Sequence, residues 1–160
     1  MRRIGVVAAS LVVAAGGLLS GRVAAAAASC SISATTVAFG SYDVFAARPT
    51  DSIGTITYRC TGMGNSGSVT IDLDGGVWGT VSQRRMARFY WLGLEYLPYN
   101  LYLDPARTEV WGDGAALSGY GPVDVPNGRE VAVTVYGRIP AQQDVSAGMY
   151  FDYITVTINF

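Results

Sequence analysis

The chain has 160 residues, half of them apolar, and eleven arginines against twelve aspartates and glutamates leave a net charge of −1. It contains neither lysine nor histidine, which excludes a Ser–His or Cys–His nucleophile and a His-ligated metal. No basic stripe is present, so nucleic acid is not an expected partner.

Arg2 and Arg3 precede an apolar stretch from Ile4 to Leu19, and the small residues Ala24 to Ala28 follow. That order predicts a secretory signal peptide over residues 1–28, cleaved near Ala28. The surroundings of the arginine pair do not otherwise support a twin-arginine signal. The stretch is too short and too rich in Gly and Ala for a membrane anchor. No later apolar span follows, so the mature chain is not expected to be membrane-integral. Residues 29–160 then make one domain of ordinary size. Eight arginines from Arg48 onward against twelve acids give it a charge of −4.

Cys30 and Cys60 are the two cysteines. In an exported chain an even count predicts a disulfide. Strand parity agrees, because Cys30 is in phase with Ile32 and Ala34, and Cys60 with Ile56 and Tyr58. A competing reading takes Ala27-Ala28-Ser29-Cys30 as a loose lipobox, which would leave Cys60 unpaired.

Strands and turns fill the rest. Ile32 and Ala34 share one parity while Val37 and Phe39 share the other, so a bulge or bend is expected near Thr35-Thr36. Residues 40–52 read as a loop broken by Pro49. Ile56, Tyr58 and Cys60 form the inner face of a second strand, and Val69, Ile71 and Leu73 that of a third. Residues 77–97 are the least regular, and Arg84 to Tyr96 are expected to make at most a short helical turn. Tyr99, Leu101 and Leu103 define a fourth strand and Glu109 to Trp111 a short fifth. After a Gly/Pro-rich crossing, Val131, Val133, Val135 and Ile139 mark a long sixth. Tyr150 to Phe160 form the last, with Ile154, Val156, Ile158 and Phe160 on one side. Either this strand completes its own sheet, or it is an edge that another chain pairs. About seven short strands with Gly/Asp/Asn turns and no good helix predict an all-β sandwich in a single domain.

Enzyme chemistry finds little support. Asp72 with Asp74, and Glu109 with Asp113, are the carboxylate pairs, but an acid–base pair must face one cleft. Parity places Asp72 on the outer face of its strand and Asp74 at a turn. Asp72-Leu73-Asp74-Gly75 resembles a fragment of a calcium loop without its remaining ligands. Arg84, Arg85 and Arg88 offer an anion site, or the structural role that we expect: pairing with Glu95 and capping carbonyls. Trp78, Trp91 and Trp111 offer sugar stacking or, as expected, core filling. No catalytic residue, cofactor or metal is expected.

Short motifs in a fixed order carry one resemblance. Phe39-Gly40-Ser41-Tyr42 after Cys30, then Ile56-Thr57-Tyr58-Arg59-Cys60-Thr61, resemble the start of a spore coat protein U domain. Arg85-Met86, Tyr99-Asn100-Leu101-Tyr102 with Asp104, and Val110-Trp111-Gly112-Asp113-Gly114 resemble its middle. Tyr136-Gly137-Arg138-Ile139-Pro140-Ala141-Gln142 and Gly148-Met149-Tyr150 with Phe160 resemble its end.

The resemblance implies an immunoglobulin-like pilin β-sandwich that is one strand incomplete. That family includes subunits of archaic, Csu-type chaperone–usher pili and secreted spore or surface coat proteins. In such pili a periplasmic pilus chaperone lends the missing strand. At an outer-membrane usher the N-terminal extension of the next subunit replaces it by strand exchange. Tyr150, Ile154, Val156, Ile158 and Phe160 would flank the groove, with the terminal carboxylate an anchor for basic residues of the chaperone. The protein would pass through the periplasm to the cell surface. Gly21-Arg22-Val23 and the alanines before Cys30 lack the alternation of a donor strand. The expectation is therefore a subunit that accepts a strand without passing one on, as at a fibre tip. The alternative is a self-sufficient coat protein or glycan-binding module.

Overall fold

A computed structural model describes residues 27–64, 67–115 and 117–160. The expected signal peptide lies, but for its last residues, outside the described residues. Eight strands carry the fold: β1 (Ser29–Ala34), β2 (Thr50–Thr61), β3 (Ser68–Leu73), β4 (Arg84–Tyr90), β5 (Gly93–Tyr102), β6 (Tyr120–Asp124), β7 (Glu130–Ile139) and β8 (Val156–Asn159). They form a five-stranded sheet in the order β1-β2-β7-β5-β4 and a three-stranded sheet in the order β6-β3-β8. All named pairings are antiparallel. No helix among the described residues is long and apolar enough to cross a membrane.

The two inner faces meet through residues of one parity. Ile56, Tyr58 and Cys60 of β2 are buried while their neighbours Thr57 and Arg59 are not. Val69, Ile71 and Leu73 face them from β3. Trp111 is fully buried in this core, and its indole N–H donates to the Ile71 carbonyl at 2.8 Å, so the ring fills volume without orphaning its donor. Cys30 stands opposite Cys60 in the β1–β2 register, and the two are joined by a disulfide. The alternative with Cys60 unpaired does not hold.

Four expectations need correction. Residues 84–96 are not a helical turn: β4 and β5 form a hairpin whose tip is Trp91-Leu92, with Tyr90 opposite Gly93. Its alternation is masked because the outer face is also apolar. Ala87 is fully buried there, and Trp78 contacts the rings of Phe89 and Tyr96. The residues read as the start of a fourth strand are the end of β5. Glu109 to Trp111 are not a full strand, since only the bridge from Val110 to Tyr102 forms. The Gly/Pro-rich crossing contains β6, an edge strand, where the missing amide of Pro122 is tolerated.

The last strand is regular only at Val156–Asn159, where it pairs with β3. Upstream, Phe151 bridges Ala87 of β4 through both backbone hydrogen bonds. The chain therefore crosses from the five-stranded to the three-stranded sheet between these points. Polar caps hold the crossing. Asp152 Oδ1 accepts the amides of Val77 and Tyr153, and Asp74 Oδ1 accepts that of Thr155 at 3.0 Å.

Candidate functional site

The sandwich is open along one seam. On one side the chain leaves β2 after Thr35, whose amide donates to the Thr55 carbonyl at 2.9 Å. This is the parity slip expected at Thr35-Thr36, and it turns Val37 and Phe39 toward the core. On the other side run residues 145–156. Between the two walls lie two chambers that share Thr36, Val37, Phe39, Met86 and Asp152. The smaller, about 260 Å³, is floored by Ile56, Leu73, Leu101 and Val135 and walled by Val37, Ile154 and Val156. The larger, about 670 Å³, is floored by Leu97 and Ile139 and walled by Tyr42, Val44, Val145 and Tyr150.

The walls carry the alternation of buried strands without their burial. Val37 and Phe39 on one wall, and Tyr150, Ile154, Val156 and Ile158 on the other, pack against the core yet are only half-buried. β8 is the outer strand of its sheet. A strand laid between the walls finds an unpaired backbone edge and a row of apolar contacts.

Side chains frame this opening. Gly54 and Gly137 make room for the first wall: a Cβ on Gly137 would meet Val37 Cγ1 at 2.6 Å and the Phe39 ring at 2.8 Å. We expect Gly137→Val to displace this wall and cost about 1–3 kcal/mol, as overpacking does. Urea unfolding measures it, and an unchanged midpoint would show that the wall is free to move. Tyr42 ties the same side to the base of the larger chamber. Its hydroxyl donates to the Pro140 carbonyl at 2.7 Å and accepts the Gln143 amide at 2.8 Å.

The opposite wall is held by Glu95 of β5. Its Oε1 accepts the Ser146 amide at 2.9 Å, while Oε2 accepts the Tyr150 hydroxyl at 2.6 Å and Arg88 Nη1 at 3.0 Å. The Tyr150 hydroxyl and then the Ser146 amide hold the Glu95 carboxyl down at about 2. Burial, then the Glu95 charge, pushes the Tyr150 phenol up to about 12. A depressed carboxyl contributes its full attachment above its ordinary value of 4.5 and loses it as the pH falls toward about 2. We therefore expect the Ser146 amide to be protected from hydrogen exchange at pH 6 and to lose protection across that acid window. Constant relative protection down to pH 2 would contradict this. Between the chambers, the Tyr99 hydroxyl donates to Asp152 Oδ2 at 2.8 Å. Burial and this carboxylate raise the Tyr99 phenol.

Of the residues expected to flank the groove, Tyr150, Ile154 and Val156 line its chambers. Ile158 packs against the core beside them, and Phe160, 57% exposed, lines neither chamber. The three arginines part company. Arg84 is buried, Arg88 pairs with Glu95, and Arg85 lies 5.5 Å from the Tyr96 ring centroid. Asp72 accepts the Asn159 side-chain amide and Asp74 caps Gly76 and Thr155, so these carboxylates serve structure. Trp111 is core, while Trp91 is 89% exposed at the hairpin tip. The Tyr42 tie, the links from Glu95 to Ser146 and Tyr150, and the wall residues 145–149 escaped the sequence reading. The parity slip at Thr35 and the alternation from Ile154 onward were the signals of the opening.

Comparison with known proteins follows the same lines. The Spore Coat Protein U domain model matches residues 18–157. Protein U of Myxococcus xanthus is 34% identical over 136 residues, covering 78% of this chain and 72% of that protein. A chain from the CsuC–CsuE chaperone–tip adhesion subunit pre-assembly complex of the archaic chaperone–usher Csu pili of Acinetobacter baumannii shares the fold. Its TM-score is 0.54 at 22% identity, over 84% of this chain and 40% of the solved one.

Proposed function

Because this chain belongs to the spore coat protein U domain family, we propose that it is a non-enzymatic subunit of a chaperone–usher surface fibre and receives a strand from its partners. The observation that carries the reading is the open seam, where alternating wall residues stay half-buried over an apolar floor. A periplasmic chaperone would fill it first, and another subunit would replace that strand at an outer-membrane usher. The chain would then end its route at the cell surface. The fold that it shares with a chain of a chaperone–subunit complex supports this order.

Tyr150, Ile154, Val156 and Ile158 would contact the incoming strand. Phe160, exposed past the end of β8, would meet the body of the chaperone. Residues 21–29 carry no alternating apolar row, which supports an accepting, non-propagating place in the fibre. The family also carries the description of a spore coat, and a coat subunit that folds unaided is the second reading. Co-expression with a periplasmic chaperone of the archaic chaperone–usher type separates the two. The fibre reading expects soluble, protease-resistant protein only in a stable complex with that chaperone. Soluble, monomeric, protease-resistant protein made alone favours the coat reading.

A further inference from the structure

The two chambers of the groove are framed differently. The smaller is walled by the start of β8, where Val156 sits in ladder register with Leu73 of β3. A ladder fixes that wall. The larger is walled by residues 145–150, which belong to no named strand and reach the sheets through the single bridge of Phe151 to Ala87. What brackets this wall is one carboxylate. Glu95 takes the amide of Ser146 and the hydroxyl of Tyr150, four residues apart, while Arg88 steadies it from β4.

We propose that Glu95 is a positioning residue that sets the width of the larger chamber and thereby selects an incoming strand with a bulky apolar side chain at that point. The inference rests on the strand-accepting reading of the groove. The volumes point the same way. About 670 Å³ on a floor of Leu97 and Ile139 leaves more space for a large apolar side chain to fill than the about 260 Å³ of the smaller chamber. A small side chain in the larger chamber leaves floor and wall without contacts, and such voids cost affinity. If the wall is released it can settle inward, and the penalty against a small side chain disappears.

The test uses synthetic peptides of about twelve residues, alternating valine and threonine, long enough to run the groove at strand rise. Each valine in turn is replaced by leucine or by alanine, and dissociation constants are read by fluorescence anisotropy on the full chain. On the unaltered protein we expect one position to favour leucine over alanine by roughly tenfold, the scale of pocket discrimination between apolar side chains. Glu95→Ala is expected to reduce that preference to about twofold or less at that position alone. Glu95→Gln keeps an acceptor oxygen and should keep part of the preference. Tyr150→Phe, which leaves the carboxylate in place, should shift it in the same direction and carries the test if Glu95→Ala does not fold. A preference that survives both variants, or a uniform weakening of every peptide, overturns the inference while the strand-accepting reading stands. Failure of every peptide to bind the unaltered protein overturns that reading, and the inference with it.

Discussion

Arg84→Ala lowers the free energy of unfolding by about 3–5 kcal/mol, most of it from orphaned acceptors at about 1–3 kcal/mol each. Arg84 is fully buried at the start of β4 and makes no salt bridge among the described residues. Its guanidinium instead gathers carbonyls: Nε and Nη2 reach Asp74 O at 2.9 and 2.7 Å, and Nη2 also reaches Leu73 O at 3.1 Å and Trp111 O at 2.8 Å. Nη1 donates to Asn100 Oδ1 at 2.7 Å. The end of β3, the turn after Val110 and the end of β5 thus meet on one planar fork. Arg84→Lys restores the charge but not the fork, so it should recover less than half of the loss. Urea unfolding followed by tryptophan fluorescence measures both. A loss under about 1 kcal/mol for Arg84→Ala would show that water or repacking satisfies these groups.

Cys60→Ser, alone or with Cys30→Ser, costs roughly 3–4 kcal/mol. The bridge closes a loop of sequence separation 30, and loop-closure entropy gives that magnitude. It also pins β1, an outer strand held by β2 alone, to the sheet just ahead of the first groove wall. Loss of the bridge should therefore be felt at residues 35–39 before it is felt at β7. Unfolding under reducing and oxidising conditions provides the measurement. Equal stability in both would contradict the account, whereas an oxidised protein more stable by the stated amount supports it.

What was legible in the sequence follows from where period-two alternation is clean. β2, β3 and β7 bury one face, and Ile56, Tyr58, Val69, Ile71 and Val135 announce it. The paired cysteines followed from parity and count. The β4–β5 hairpin was hidden because both of its faces carry apolar residues, the outer one under Trp78. β6 was hidden by Gly121-Pro122, which reads as a loop signal but sits at a sheet edge.

The groove divides in the same way. The β8 wall was visible as the alternation from Ile154 onward, although the chain spends its upstream part crossing between sheets. The other parts depend on contacts between residues far apart in sequence. Glu95 meets Ser146 and Tyr150 across separations of 51 and 55, and Tyr42 meets Pro140 across 98. No local pattern encodes such pairs. The arginine cluster is the informative middle case, since its residue types suggested capping and pairing but not which arginine does which.

In the proposed reading, residues 35–39 and 145–159 are the two lips of one strand-accepting seam. Hydrogen exchange of the full chain, with and without a saturating peptide of alternating valine and threonine, tests it most directly. The account predicts slowed exchange confined to these two segments, with β7 already protected and unchanged. Unaltered exchange at both lips, or a β8 already as protected as β7 in the free protein, would contradict it.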